Sequence, residues 1–138
     1  MDERPQFDAK FLVGVDQIDR EHRQLFEIAA RTYDSVGAGD ATAQAVIRRS
    51  VAELIEYTAT HFASEEGLME AAAYPELAAH RLEHQHLLSR ASDMEMRVEI
   101  GDPSMAMELP RFIYRWLTEH IEASDKKFGA FVAARQQD

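Results

Sequence analysis

Cysteine is absent from the chain. That gap removes disulfides, cysteine-ligated zinc and thiol nucleophiles together, and it leaves histidine, carboxylate and hydroxyl groups to carry any chemistry. Positive charge is scarce: 15 Lys and Arg stand against 25 Asp and Glu, a net charge of −10. Such a surface repels phosphate backbones and anionic lipid, and no local basic cluster offsets it. Long apolar runs are missing, and the opening MDERPQFDAK lacks the apolar stretch of a secretion signal. Neither nucleic acid nor membrane insertion is therefore expected, and the cytoplasm is the expected location. Glycine (6) and proline (4) are few, and they fall where they separate long periodic segments. Internal repeats are absent and strand signals nearly so.

What remains reads as one folded domain over residues 1–138, 46% hydrophobic and 29% charged, enough for one core and too short for two comfortable ones. The helical period marks four amphipathic segments. The first runs from about Asp19 to Val36, with Ile18, His22, Leu25, Phe26, Ala29 and Tyr33 on its stripe and a stop at GAGD. The second starts near Asp40, a candidate N-cap, and carries Ile47, Val51, Leu54, Thr58, His61, Glu65 and Leu68 to about Ala72. Tyr74-Pro75 breaks it, and Pro75 suits the first turn of a third helix bearing Leu77, His80, His84, Leu87, Ala91, Met94 and Val98, which Gly101-Asp102-Pro103 ends. The fourth carries Leu109, Phe112, Ile113, Trp116, Leu117, His120, Ile121 and Phe128, and either starts close to Pro110 or is kinked there. Short connections between such segments favour antiparallel neighbours. The expected fold is all-α: an up-down-up-down antiparallel four-helix bundle over about residues 18–128. An N-terminal arm, residues 1–17, covers one end with Phe7, Phe11, Leu12 and Val15, and a short C-terminal helix follows Gly129.

Half of the six histidines lie in HRLEHQH, His80 to His86. His22, His61, His80, His84 and His120 all fall on apolar stripes, and all four segments contribute, so these side chains converge. Glu65 sits one turn past His61 on the same face, and Asp125 follows His120 by five residues. A single histidine on an apolar face is more often a hydrogen-bonded core residue than a ligand. Five of them with two acids, around one axis, point instead to a buried metal site, because an unpaired carboxylate there is strongly disfavoured. His61/Glu65 and His80/His84 are i,i+4 pairs that project side by side. His120 and Asp125 would stand about 140° apart on an ideal helix, which predicts a π-bulge between them. His86 lies about 200° round from His84 and is expected at the surface. Glu83 and His86 form one E-x-x-H, a motif that ferritin-like di-iron bundles use twice, and it is expected on the solvent side.

The stretches VGVDQIDREHRQLF, HFASEEGLM, YPELAAHRLEH and WLTEHIEASD, in that order, closely resemble the hemerythrin family, in particular the single-domain bacterial members called bacteriohemerythrins. A lone His, HxxxE, HxxxH and HxxxxD make up the shared ligand pattern. The resemblance covers essentially the whole chain, with Phe7 standing where many members carry tryptophan. It implies a hemerythrin-like domain holding two non-haem iron ions, with His80, His84 and His120 on one, His22 and His61 on the other, and Glu65, Asp125 and an oxo or hydroxo group bridging both. On two octahedral ions that set leaves one position free, on the iron with two histidines. Dioxygen is the implied ligand there. Leu25, Phe62, Trp116, Leu117 and Ile121, next to the ligands, form the expected apolar oxygen pocket that keeps water out.

The implied activity is reversible dioxygen binding for transport, storage or delivery, without enzymatic turnover beyond weak oxidase or peroxidase side activity. A protein partner for oxygen delivery or signalling stays open. Other readings of the same site are an oxygen, redox or nitric oxide sensing module, and iron storage or peroxide handling. A two-metal hydrolase is disfavoured, since no arginine or lysine is tied by motif to the ligands. Each ligand imidazole is expected to be oriented through its outer nitrogen, by partners that no motif identifies.

Overall fold

A computed structural model describes residues 4–37 and 43–136. Four long helices account for most of them: α1 (Asp16–Gly37), α2 (Ala43–Ala71), α3 (Leu77–Glu99) and α4 (Pro103–His120). A π-helical turn, Ile121–Asp125, continues α4 without a break into α5 (Lys126–Gln136). Each helix packs on the next and α4 packs back on α1, which closes the amphipathic faces onto one axis as a four-helix bundle. Among the described residues there is no strand, and no helix is long and apolar enough to cross a membrane.

One apolar cluster fills the bundle and takes in Ile18, Leu25 and Phe26 of α1, Leu54 and Phe62 of α2, Leu87 of α3, Leu109, Ile113 and Leu117 of α4, and Phe128 of α5. Thr58, on the apolar stripe of α2, is buried at little cost because its hydroxyl donates to the Leu54 carbonyl at 2.7 Å. The expected N-cap Asp40 lies outside the described residues. Pro75 is not in the first turn of α3; it sits in the preceding turn, where the Leu77 N–H donates to the Tyr74 carbonyl at 3.3 Å. Of the two readings of Pro110, a helix start or a kink, the start is set aside. Asp102 accepts from the Ser104 N–H at 3.0 Å and Pro103 takes the opening position, so α4 starts there and runs through Pro110, which costs the helix a ladder bond and crowds the carbonyl one turn before it.

The arm lies along the α1–α4 seam rather than over an end of the bundle. Phe7 and Phe11 meet Phe26 with ring centroids 5.7 and 5.5 Å away, and Phe26 meets Tyr114 of α4 at 5.6 Å. Leu12, expected to cover the core, is 40% exposed. Asp19 pins the arm, since its carboxylate accepts from the N–H groups of Val13 and Gly14 at 2.8 and 3.2 Å. The Val13 carbonyl then rests against Gly129 inside α5, at a spot where a Cβ would collide with it. Gly129 is therefore a contact glycine within α5 rather than a boundary before it.

α2 and α3 end in the same hydrogen-bond pattern with different residues at the left-handed position. At α3 the N–H groups of Gly101 and Asp102 donate to the carbonyls of Val98 and Arg97, with Gly101 at φ +91°. At α2 the N–H groups of Ala73 and Tyr74 donate to Glu70 and Met69, with Ala73 at φ +56°. An alanine there carries roughly 1–2 kcal/mol of strain that glycine does not. Ala73→Gly is expected to stabilise the protein by about 0.5–1 kcal/mol after glycine's larger unfolded-state entropy is counted, and Gly129→Ala to destabilise it; chemical denaturation with unchanged m-value reads both.

Candidate metal centre

Seven side chains from the four helices and the π turn meet on the bundle axis: His22 from α1, His61 and Glu65 from α2, His80 and His84 from α3, His120 from α4, and Asp125 from the π turn. None is more than 5% exposed. The i,i+4 spacing aligns the pairs on α2 and α3. Asp125 reaches the same point because the ladder widens at the π turn, where the Lys126 N–H returns to the Ile121 carbonyl. That wide turn brings residue 125 back over residue 120.

The ligand atoms form two overlapping groups, Glu65, His80, His84, His120 and Asp125 in one, and His22, His61, Glu65 and Asp125 in the other. In the first, the Nε2 atom of His120 lies 3.0 Å from that of His80 and 3.2 Å from that of His84. Cis donors about 2.1 Å from one octahedral ion stand roughly 3 Å apart, so this spacing fits imidazoles gathered around a cation. Glu65 turns Oε1 to His80 and His84 at 2.6 and 3.3 Å, and Oε2 to His61 and His22 at 3.4 and 3.8 Å. Asp125 turns Oδ1 to His80 and His120 at 3.0 and 3.1 Å, and Oδ2 to His22 at 3.2 Å. Each carboxylate thus offers one oxygen to each group. Glu65 Oε2, Asp125 Oδ1 and the Nε2 of His22 are buried without a hydrogen bond. Leaving them so is costly; Asp125 Oδ1 faces the first group and the other two face the second, so a cation in each group satisfies all three.

An outer set of glutamates holds three of the rings. Glu21 of α1 receives Nδ1 of His61 at 2.6 Å, Glu66 of α2 receives Nδ1 of His84 at 2.7 Å, and Glu83 of α3 receives Nδ1 of His120 at 2.7 Å. With Nδ1–H donated outward, the Nε2 lone pair faces the site. Ser64 and Ser124 donate to Glu21 and Glu83, and Arg81 to Glu66. These partners were missed in the sequence. Each glutamate is the immediate chain neighbour of a ligand, Glu21 of His22, Glu66 of Glu65 and Glu83 of His84, and a position about 100° off the buried face is the seam with the next helix. Glu83 and His86 are both exposed, as expected, yet Glu83 still reaches His120 with one carboxylate oxygen. The outer nitrogen of His22 is buried with no partner.

Two of the expected pocket residues stack on ligand rings. Phe62 stacks on His84 at 3.7 Å with planes 4° apart, and Trp116 stacks on His120 at 4.3 Å and 20°. Leu25, Leu117 and Ile121 are within 1% of complete burial and lie within a helical turn of a ligand.

Without a cation the site holds its charge by protonation. Burial acts to strip the proton from His61, but Glu21 and Glu65 outweigh it and hold the pKa at about 9. Burial likewise opposes the proton on His80, and Asp125 and Glu65 raise its pKa to about 10. Burial and the charge of Asp125 push Glu65 up, yet hydrogen bonds from His61, His80 and His84 bring it down to about 2.

A family model described as the hemerythrin HHE cation binding domain matches residues 13–132. A bacteriohemerythrin of Stenotrophomonas maltophilia is 33% identical over 122 residues, covering 88% of this chain and 77% of that one. One of Methylococcus capsulatus is 29% identical over 126 residues, covering 91% and 94%. The crystal structure of wild-type hemerythrin superposes with a TM-score of 0.82 at 28% identity, over 91% of this chain and 95% of that one. The chain is a member of the hemerythrin family, and its buried His, Glu and Asp cluster is a hemerythrin-type metal site.

The raised histidines stabilise the metal-free fold below their ordinary pKa of 6.5, and that contribution is lost as pH climbs through about 9 and 10. Glu65 contributes above its ordinary 4.5, and that is lost as pH falls toward about 2. Metal-free protein is therefore expected to be most stable between those ordinary values and to lose Tm from neutral to alkaline pH. Metal-loaded protein, whose ligands must be deprotonated, is expected to melt higher and to keep its Tm over that alkaline range. Parallel pH profiles in calorimetry would contradict this linkage.

Proposed function

We propose that the chain binds dioxygen reversibly at a centre of two iron ions and acts as a carrier, store or delivery protein rather than an enzyme. The observation that carries this reading is the inequality of the two donor groups: three imidazoles and two carboxylate oxygens in one, two imidazoles and two carboxylate oxygens in the other. With a shared solvent oxygen these groups would offer six and five donors to two six-coordinate ions, so the group of His22 and His61 is the one that would leave room for a diatomic ligand. Five neutral imidazoles against two carboxylates make a donor set that favours the ferrous state over higher oxidation states. A ferrous pair supplies the two electrons that dioxygen takes up and returns.

The residues of the chain do the rest. Glu21, Glu66 and Glu83 fix the ring orientation of His61, His84 and His120, so these three imidazoles need not rotate when a ligand arrives. Leu25, Phe62, Leu117 and Ile121 exclude water from the centre, and exclusion keeps a proton from completing an irreversible oxidation. Any oxidase or peroxidase activity is a side reaction of that shielding failing.

Anaerobic reduction of iron-loaded protein, followed by air and then vacuum, is expected to give an absorption band that appears and disappears over repeated cycles. A single irreversible conversion to the ferric form would overturn the carrier reading in favour of redox sensing. Leu117→Ala is expected to leave iron content unchanged and to accelerate autoxidation by about tenfold, the effect of roughly 1.4 kcal/mol on a barrier, measured as the decay of the same band.

A further inference from the structure

A surface groove of about 470 Å³ runs between α3 and the α4–π junction, lined among others by Leu82, Glu83, His86, Trp116, Glu119 and Ala123. Leu82, 67% exposed, forms one lip. Half-buried Trp116 is the chain's one tryptophan, and it joins the groove to the metal centre. Its indole lines the groove and stacks on His120 at 4.3 Å, and the Nε2 of His120 stands among the ligand atoms. Another opening beside a ligand, next to His80, measures about 50 Å³, room for little more than water. A few hundred Å³ is the scale that takes an aromatic group.

We propose that this groove is the docking site for a one-electron donor protein whose basic side chains surround the edge of its redox cofactor, and that Trp116 and His120 conduct the electron inward. The inference rests on the two-iron reading above. Electron tunnelling decays exponentially with the gap to be crossed, and the Trp116–His120 stack leaves no gap between groove and ligand. Glu83 and Glu119 line the groove, and the chain carries a net charge of −10, so a basic partner is the complementary one. The balance is simple: each encounter oxidises the donor by one electron and reduces one ferric ion to ferrous, and two encounters return a diferric centre to the oxygen-binding state.

Reduced methyl viologen, a cationic one-electron donor, serves as the probe. In stopped-flow reduction of diferric protein, Glu119→Lys is expected to slow the reaction about tenfold at low salt, with the difference vanishing at high salt. Trp116→Leu is expected to slow it severalfold at every salt concentration, and Trp116→Phe, which keeps a ring on His120, to restore most of the rate. A second readout needs no metal. Oxidised methyl viologen is expected to quench Trp116 fluorescence in the metal-free chain, less in Glu119→Lys and less in salt, while quenching by uncharged acrylamide is unchanged. Reduction rates equal to wild type in both Glu119→Lys and Trp116→Leu, or viologen quenching indifferent to salt, would overturn the proposal. Failure of wild-type protein to cycle with oxygen would instead sink the functional reading, since the fluorescence experiment judges the groove alone.

Discussion

Two carboxylates in the middle of an apolar bundle set the terms for the rest of the molecule. Glu65 and Asp125 are 0% and 1% exposed, and two buried anions within one cluster repel each other as well as losing water. Protonated His61 and His80 balance the pair in the metal-free chain, and all five surrounding imidazoles stand ready as the remaining donors to a cation. The architecture follows from that demand. No single helix can present seven inward groups at one level, so four helices and a widened turn each supply part of the set.

The outer glutamates make the same site a fastening between helices. Glu21 to His61 crosses the α1–α2 seam, Glu66 to His84 the α2–α3 seam, and Glu83 to His120 the α3–α4 seam. At the fourth seam, α4 to α1, no such pair occurs among the described residues. There the closure is aromatic, with Phe26 against Tyr114 and the arm's Phe7 and Phe11 laid over it. The outer glutamates therefore fasten three seams, and the N-terminal arm covers the fourth.

Much of this was legible in the sequence, and the failures have physical reasons. The seven converging residues could be read because burial of a polar group is abnormal on an apolar stripe, and the π turn because His120 and Asp125 are five apart where a regular helix needs three or four. The outer glutamates were not legible, because a glutamate beside a ligand looks like any solvated residue until the neighbouring helix is in place. Helix starts were misjudged where a local signal competed. Pro110 marked a boundary less well than Asp102-Pro103, since a cap followed by proline favours a helix start, and core packing of Leu109, Ile113 and Leu117 holds α4 together across Pro110. The arm's path was hidden for a similar reason: its docking depends on Gly129, a residue whose role is set by a carbonyl more than a hundred positions away in the chain.

The π turn reaches beyond the metal. One surplus residue in a helix is a phase shift of about 100° for everything that follows. The rotation that carries Asp125 inward also swings Phe128 onto Tyr74 and sets the bare face of Gly129 under Val13. Register at the centre and attachment of the tail are thus one setting. Trimming a residue there to make the coil regular would unseat a ligand and, by the same twist, uncouple the two ends of the polypeptide.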